Sequence, residues 1–104
     1  MTQPAAIAKL LGGEKVLRRR VRAEGDLGSL VREGLPAAAA RELASRTQTS
    51  VSFLIDAAGL NKRTLERRLA ADDRLKKDES DAIMRVARVV AHAMETLGHE
   101  RGLR

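Results

Sequence analysis

An eight-residue apolar run that stops on a glycine and gives way to a basic segment constrains this chain more than any other feature. It lies in VSFLIDAAGLNKRTLERRLA, residues 51 to 70. Val51, Leu54, Ile55 and Ala58 are spaced i, i+3, i+4 and i+7, so they form one buried stripe of a helix opened by Ser50. Phe53 stands three residues after Ser50, so the reciprocal half of a capping box is missing. Gly59 can turn the chain in the left-handed region. Leu60 pins the turn to the core, and Asn61 can cap a second helix running to about Ala71. Successive helical residues differ by about 100°. Leu65 and Leu69 therefore share one side of the second helix, while Arg63, Arg67 and Arg74 project from the other. Thr64 and Ala70 lie beside these arginines, and Lys62 and Arg68 fall on the flanks.

Two helices joined by a short glycine turn, with the second one basic, are the parts of a helix-turn-helix, which lays its second helix in the major groove. The motif is placed at 51–71, with Leu54, Ala58, Leu60 and Leu65 as the small core between its helices. Arg63 and Arg67 are the candidates for base edges, because an arginine fork matches O6 and N7 of guanine. Thr64 is a third. Ser52, Asn61, Lys62 and Arg68 are the phosphate candidates, since flank cations and helix N-terminal groups suit the backbone. The competing reading is a solvated basic face on a small bundle. Ile55 stands near the helix crossing, where a small alanine is usual; either the helices cross at a wider angle or Ile55 packs outward.

The rest of the chain reads as helices as well. The 104 residues suit one domain, and only Phe53 is aromatic. A single aromatic rules out the base-stacking platforms of RNA-binding sheets and single-strand-binding barrels. Ala5 to Leu11 is a short helix stopped by Gly12-Gly13. Glu14 to Arg22, with Arg18, Arg19 and Arg20 consecutive, is either a solvated helix or arm or a DNA-backbone contact. Gly25 and Gly34 bracket a helix with Asp26 accepting at its start and Leu27, Leu30 and Val31 on its apolar face. Pro36 to Arg46 is the next helix, with proline in its first turn. Asp72-Asp73-Arg74 is a polar break. A helix from about Lys77 to Leu97, ended by Gly98, carries a seam of Ile83, Ala87, Val90, Met94 and Leu97, broadened by Val86, Val89 and Ala93. The predicted fold is an all-α small helical bundle. Residues 1–25 form a basic N-terminal segment, 26–74 the helical core and 76–98 the long helix.

Lysine and arginine number 20 against 14 acids, a formal charge of +6, which favours polyanions. Cysteine is absent, so no disulfide, thiolate metal site or thiol nucleophile is available, which suits the cytoplasm. No apolar run approaches the roughly 18 residues of a membrane span. His92 and His99, seven apart with Glu95 between them, are spaced too widely for a typical zinc pair. Ser80-Asp81 lacks a positioned base and an oxyanion site, and Ser80 reads as a first-turn serine bonding local backbone. Gly12-Gly13 lacks the G-K-S/T of a phosphate loop. Neither enzymatic activity nor a cofactor is expected.

Several blocks in order resemble the Xre/MbcA/ParS antitoxins, partners of RES-domain toxins. They are L-L-G-G-E-K-V-L at 10–17, V-R-E-G-L-P-A-A-A at 31–39, G-L-N-K-R-T-L-E-R-R at 59–68 and L-K-K-D-E-S-D-A-I-M-R-V-A-R-V-V-A-H-A at 75–93. The resemblance implies an all-helical domain with an Xre/Cro-like helix-turn-helix. It also implies binding to operator DNA with autoregulation of transcription, often as a homodimer, and neutralisation of a toxin that consumes NAD. Two features depart from the family. Lys76-Lys77 replaces the Ser-Pro or Thr-Pro pair that opens the long helix, with Asp78, Glu79 and Asp81 offsetting the charge there. The toxin-binding region that follows the glycine matching Gly98 in the family, with its tryptophan-leucine and proline motifs, has no counterpart in this sequence. The chain is accordingly read as truncated or naturally short, with DNA binding carried over more firmly than toxin binding. The alternative function is a helical protein-interaction module that binds a RES-domain toxin through the long helix, DNA being incidental. Nonspecific nucleic-acid coating is a third.

Overall fold

A computed structural model describes residues 2–101, with the side chains of 98–101 outside the description. Within those bounds the chain forms seven helices: α1 (Pro4–Leu10), α2 (Gly13–Leu17), α3 (Glu24–Glu33), α4 (Ala37–Arg46), α5 (Val51–Ala57), α6 (Lys62–Ala70) and α7 (Lys77–Arg101). Among the described residues there is no strand, only one isolated antiparallel bridge between Pro36 and Arg74. The all-α expectation holds, and a long last helix follows the bundle.

Local chemistry explains most boundaries. Pro4 occupies the first turn of α1, where its missing N–H costs nothing. Asp26, at the third position of α3, accepts from the backbone N–H of Arg22 and of Ala23 at 2.9 and 3.0 Å. These bonds, more than the nearby Arg19 and Arg22 charges, hold its carboxyl below the usual aspartate range. Asp26 thus ties down the approach to α3, and Gly25 lies inside the helix rather than bracketing it. The α7 backbone runs through Gly98 to Arg101, so that glycine does not end the helix as its sequence position suggests.

One continuous core draws on all seven helices, with α7 contributing its first half. Leu11, Leu27, Leu35, Leu43 and Ile83 are fully buried in it. Ala37, Ala39, Ala40 and Ala44 make α4 thin enough to lie centrally, against α1, α2, α5 and α6. The N-terminal segment belongs to this core. Ile7, Leu10, Leu17 and Val21 are buried, Arg19 pairs with Glu33 at 2.8 Å, and Arg20 lies 3.6 Å from Glu14. It is folded onto the domain and is not a detached arm.

Two connectors pair side by side, antiparallel, at Pro36 and Arg74. Leu75 N–H donates to the Leu35 carbonyl at 2.7 Å, and Ala37 N–H donates to the Asp73 carbonyl at 2.9 Å. The Arg74 guanidinium donates to the Gly34 carbonyl at 2.8 Å. Leu35 N–H donates to the Ser80 hydroxyl at 2.8 Å, a fully buried contact spanning 45 residues. Ser80 therefore bonds a distant backbone, not its own turn as its sequence position suggests. Gly34 makes the close approach possible. Its φ is +93°, and a Cβ there would lie 2.3 Å from the Leu75 carbonyl oxygen.

Gly34→Ala is expected to lower stability by at least ~2 kcal/mol, through steric overlap plus positive-φ strain. Gly25→Ala, whose Cβ meets nothing within 4 Å, should raise stability by about 0.5 kcal/mol or more. Denaturant unfolding of the two variants checks the contrast. For Asp26, the depressed folded-state pKa means that its contribution is complete above about pH 4 and is lost as pH falls through the lower folded value. Asp26→Asn should flatten the acid limb of the stability–pH profile, read by thermal melts between about pH 2 and 5.

Candidate nucleic-acid interface

Ser50 opens α5, its hydroxyl accepting from Phe53 N–H at 3.0 Å. Leu54 and Ile55 are buried and Val51 is half-buried, while Phe53 is 62% exposed. Ile55 is fully buried, so it packs inward and not outward. The turn after α5 is closed by two bonds: Gly59 N–H to the Asp56 carbonyl and Leu60 N–H to the Ile55 carbonyl, both at 3.0 Å. This is the 5→2, 6→1 pattern of a glycine-ended helix, and Gly59 has φ +70°. Leu60 is carried to the core side, half-buried. Asn61 then caps α6, its side-chain oxygen accepting from Thr64 N–H at 2.9 Å.

α6 is nine residues long, and Leu65 is its one fully buried side chain. Burying that leucine is worth roughly 1.5–3 kcal/mol. Leu69 packs half-buried beside it. The same rotation that turns Leu65 inward turns Arg63 and Arg67 outward, and both are exposed, as are Lys62 and Glu66. Thr64 is half-buried, on the shoulder between the two faces. Asn61 is exposed, but its oxygen is committed to the cap; only its amide nitrogen remains for an outside acceptor. Ser52 is half-buried on the first turn of α5.

Two arginines assigned to this surface by helical rotation stand elsewhere. Arg68 is half-buried and forms a two-point pair with Glu79, Nε to Oε1 at 2.7 Å and Nη2 to Oε2 at 3.3 Å. Its guanidinium is bonded to Glu79, whereas its flank position makes it a phosphate candidate. Arg74 lies beyond the end of α6 and reaches the Gly34 carbonyl. It is not on the outer face because the helix ends at Ala70, with Asp72 left-handed at φ +53°. Among the described residues, Lys62, Arg63 and Arg67 are the α6 cations without an internal partner, with Glu66 between them.

Residue order alone does not reveal Glu79 as the partner of Arg68. It is read as one of several acids offsetting a helix N-terminus. In the fold it also accepts Lys76 N–H at 2.8 Å, the inward half of a capping box. Glu79, Ser80 and Arg68 belong to the motif blocks at 59–68 and 75–93, and all three serve to assemble the domain. His92 is exposed, and the His99 side chain lies outside the described residues. Among the described residues no cluster of potential ligands could hold a metal ion, and no helix is long and apolar enough to cross a membrane.

Two capped helices, a glycine turn and an outward basic face on the second helix define a helix-turn-helix domain. The profile of the antitoxin Xre-like helix-turn-helix domain matches residues 26–88, more than half of the chain. The chain belongs to that family. No curated protein and no solved structure gives a match.

Asn61→Ala should destabilise the domain by about 0.5–2 kcal/mol through loss of the cap. Asn61→Asp, which retains the acceptor and suits the helix dipole, should remain near the parent. Thermal melts of both variants check this.

Proposed function

We propose that this chain is the DNA-binding antitoxin of a type II toxin–antitoxin system, seating α6 in the major groove of operator DNA and repressing its own transcription. The observation that carries the reading is the outward pair Arg63 and Arg67, braced from behind by buried Leu65, in a helix-turn-helix of the antitoxin family. Arg63 and Arg67 read base edges, with Thr64 beside them. Lys62, the Asn61 amide and the Ser52 hydroxyl serve phosphates. The protein acts in the cytoplasm, without a cofactor or catalysis of its own. It works as a homodimer reading paired half-sites, and a RES-domain protein is the toxin it answers.

A second reading, protein interaction through the long helix, has its own support. The first half of the α7 seam is buried, at Ile83, Met84 and Ala87. Further along, Val89 is 69% exposed, Met94 49% and Leu97 53%. The seam expected at Met94 and Leu97 is thus not filled by this chain's own described residues, and it is open to a second copy or to the toxin.

Titration against the DNA upstream of its own reading frame should show preference over random duplex. Affinity should fall steeply with salt, with a log–log slope of about −0.9 per neutralised phosphate. Arg63→Ala with Arg67→Ala should abolish the preference, a loss of roughly 1–3 kcal/mol per base contact. Unchanged preference in the double variant would remove α6 from sequence reading. Salt-insensitive weak DNA association together with capture of a RES-domain protein would favour the second reading.

A further inference from the structure

We infer that Arg68 and Glu79 are positioning residues for sequence reading: their two-point pair fixes the rotation of α6 about its own axis and so sets where Arg63 and Arg67 point. The inference rests on the proposed DNA reading and deepens it.

α6 has one fully buried side chain, with Leu69 half-buried beside it and the Asn61 cap at its start. Leu65 supplies a hinge, because apolar contact is non-directional. Directional bonds set the azimuth more sharply than apolar contact does, and Arg68 supplies them. It stands three residues on from Leu65, ~4.5 Å along the axis and ~60° around it. Its guanidinium is planar and meets both carboxylate oxygens of Glu79, at 2.7 and 3.3 Å. Such a fork resists rotation more than a single bond does. The partner is itself held by a second bond. Glu79 Oε1 also accepts Lys76 N–H at 2.8 Å, and the Arg68 and Glu79 side chains retain only 15% and 11% of their exposure.

The distance leverage is large. Arg63 and Arg67 lie about 140° and about 100° around the axis from Arg68, at the ends of long side chains. A small rotation of α6 displaces their guanidinium groups by a substantial part of a hydrogen-bond length. Phosphate contacts by Lys62, a flexible point charge, tolerate that displacement, whereas two-point base contacts do not. Loss of the pair should therefore erode discrimination while leaving general affinity for duplex in place.

The test uses a duplex selected from a random pool by the wild-type chain and a scrambled duplex of equal length. Affinities are measured over a salt series at temperatures where every variant is folded by circular dichroism. Glu79→Gln and Arg68→Gln should each lower the selected-to-scrambled affinity ratio about tenfold, the equivalent of one base contact. Affinity for scrambled duplex should be retained in both, and Arg68→Gln should leave its salt slope unchanged. Arg68→Lys keeps the charge but not the fork; it should lower the ratio too, and it serves if the glutamine variants do not fold. A ratio unchanged in Arg68→Lys and in the folded glutamine variants would reduce the pair to a stabilising contact and overturn the inference. So would a salt slope shallower by about 0.9 in Arg68→Gln, which would return Arg68 to the phosphate surface. If the wild-type chain selects no sequence at all, the DNA reading itself fails, and that result is seen before any variant is made.

Discussion

The antiparallel pairing of two connectors is the constraint on which the rest of the domain depends. The link between α3 and α4 runs beside the link between α6 and α7, close enough that Gly34 can have no side chain. The polar groups there are satisfied across the gap, by Leu75 N–H on the Leu35 carbonyl and by Leu35 N–H on the Ser80 hydroxyl. Buried backbone without such partners would cost about 1–3 kcal/mol per group. Because α6 ends and α7 begins on either side of the paired segment, the contact fixes the exit of the basic helix relative to the long helix. The core below it, from Leu27 to Ile83, fills in around that frame.

Internal partners divide the arginines. Composition counts them alike, but Arg74 is tied to Gly34, Arg68 to Glu79 and Arg19 to Glu33. These serve assembly. Arg63 and Arg67 are exposed, and the charge they carry is available to a partner. The net charge of +6 thus overstates what α6 presents, which is three cations interrupted by Glu66. The open apolar stretch at Val89, Met94 and Leu97 is a separate surface, at the other end of the molecule's longest helix. It gives the chain a second place at which association with another protein can act.

Much of the helix layout was legible in residue order. Ser50 and Asn61 cap where their side chains predict, and Gly59 turns the chain in the left-handed region, because capping and positive φ depend on near neighbours. Rotation about a helix axis is also local, so Leu65 inward with Arg63 and Arg67 outward could be read from spacing. Gly98 misleads because a glycine permits a helix to end but does not compel it. The flank position of Arg68 is compatible with solvent, phosphate or a protein carboxylate, and its bonds to Glu79 could not be read from spacing.

What residue order determines here is the set of helices, their caps and the apolar side of each, since these follow from interactions within about four residues. What only the tertiary fold decides is which polar side chains are already spent. Leu35 and Ser80 are 45 residues apart and Arg68 and Glu79 eleven apart, and no local pattern brings either pair together. Hydrogen bonding is directional and saturable, so a group that finds its partner inside the protein is withdrawn from the surface, whatever its position on the helix suggests.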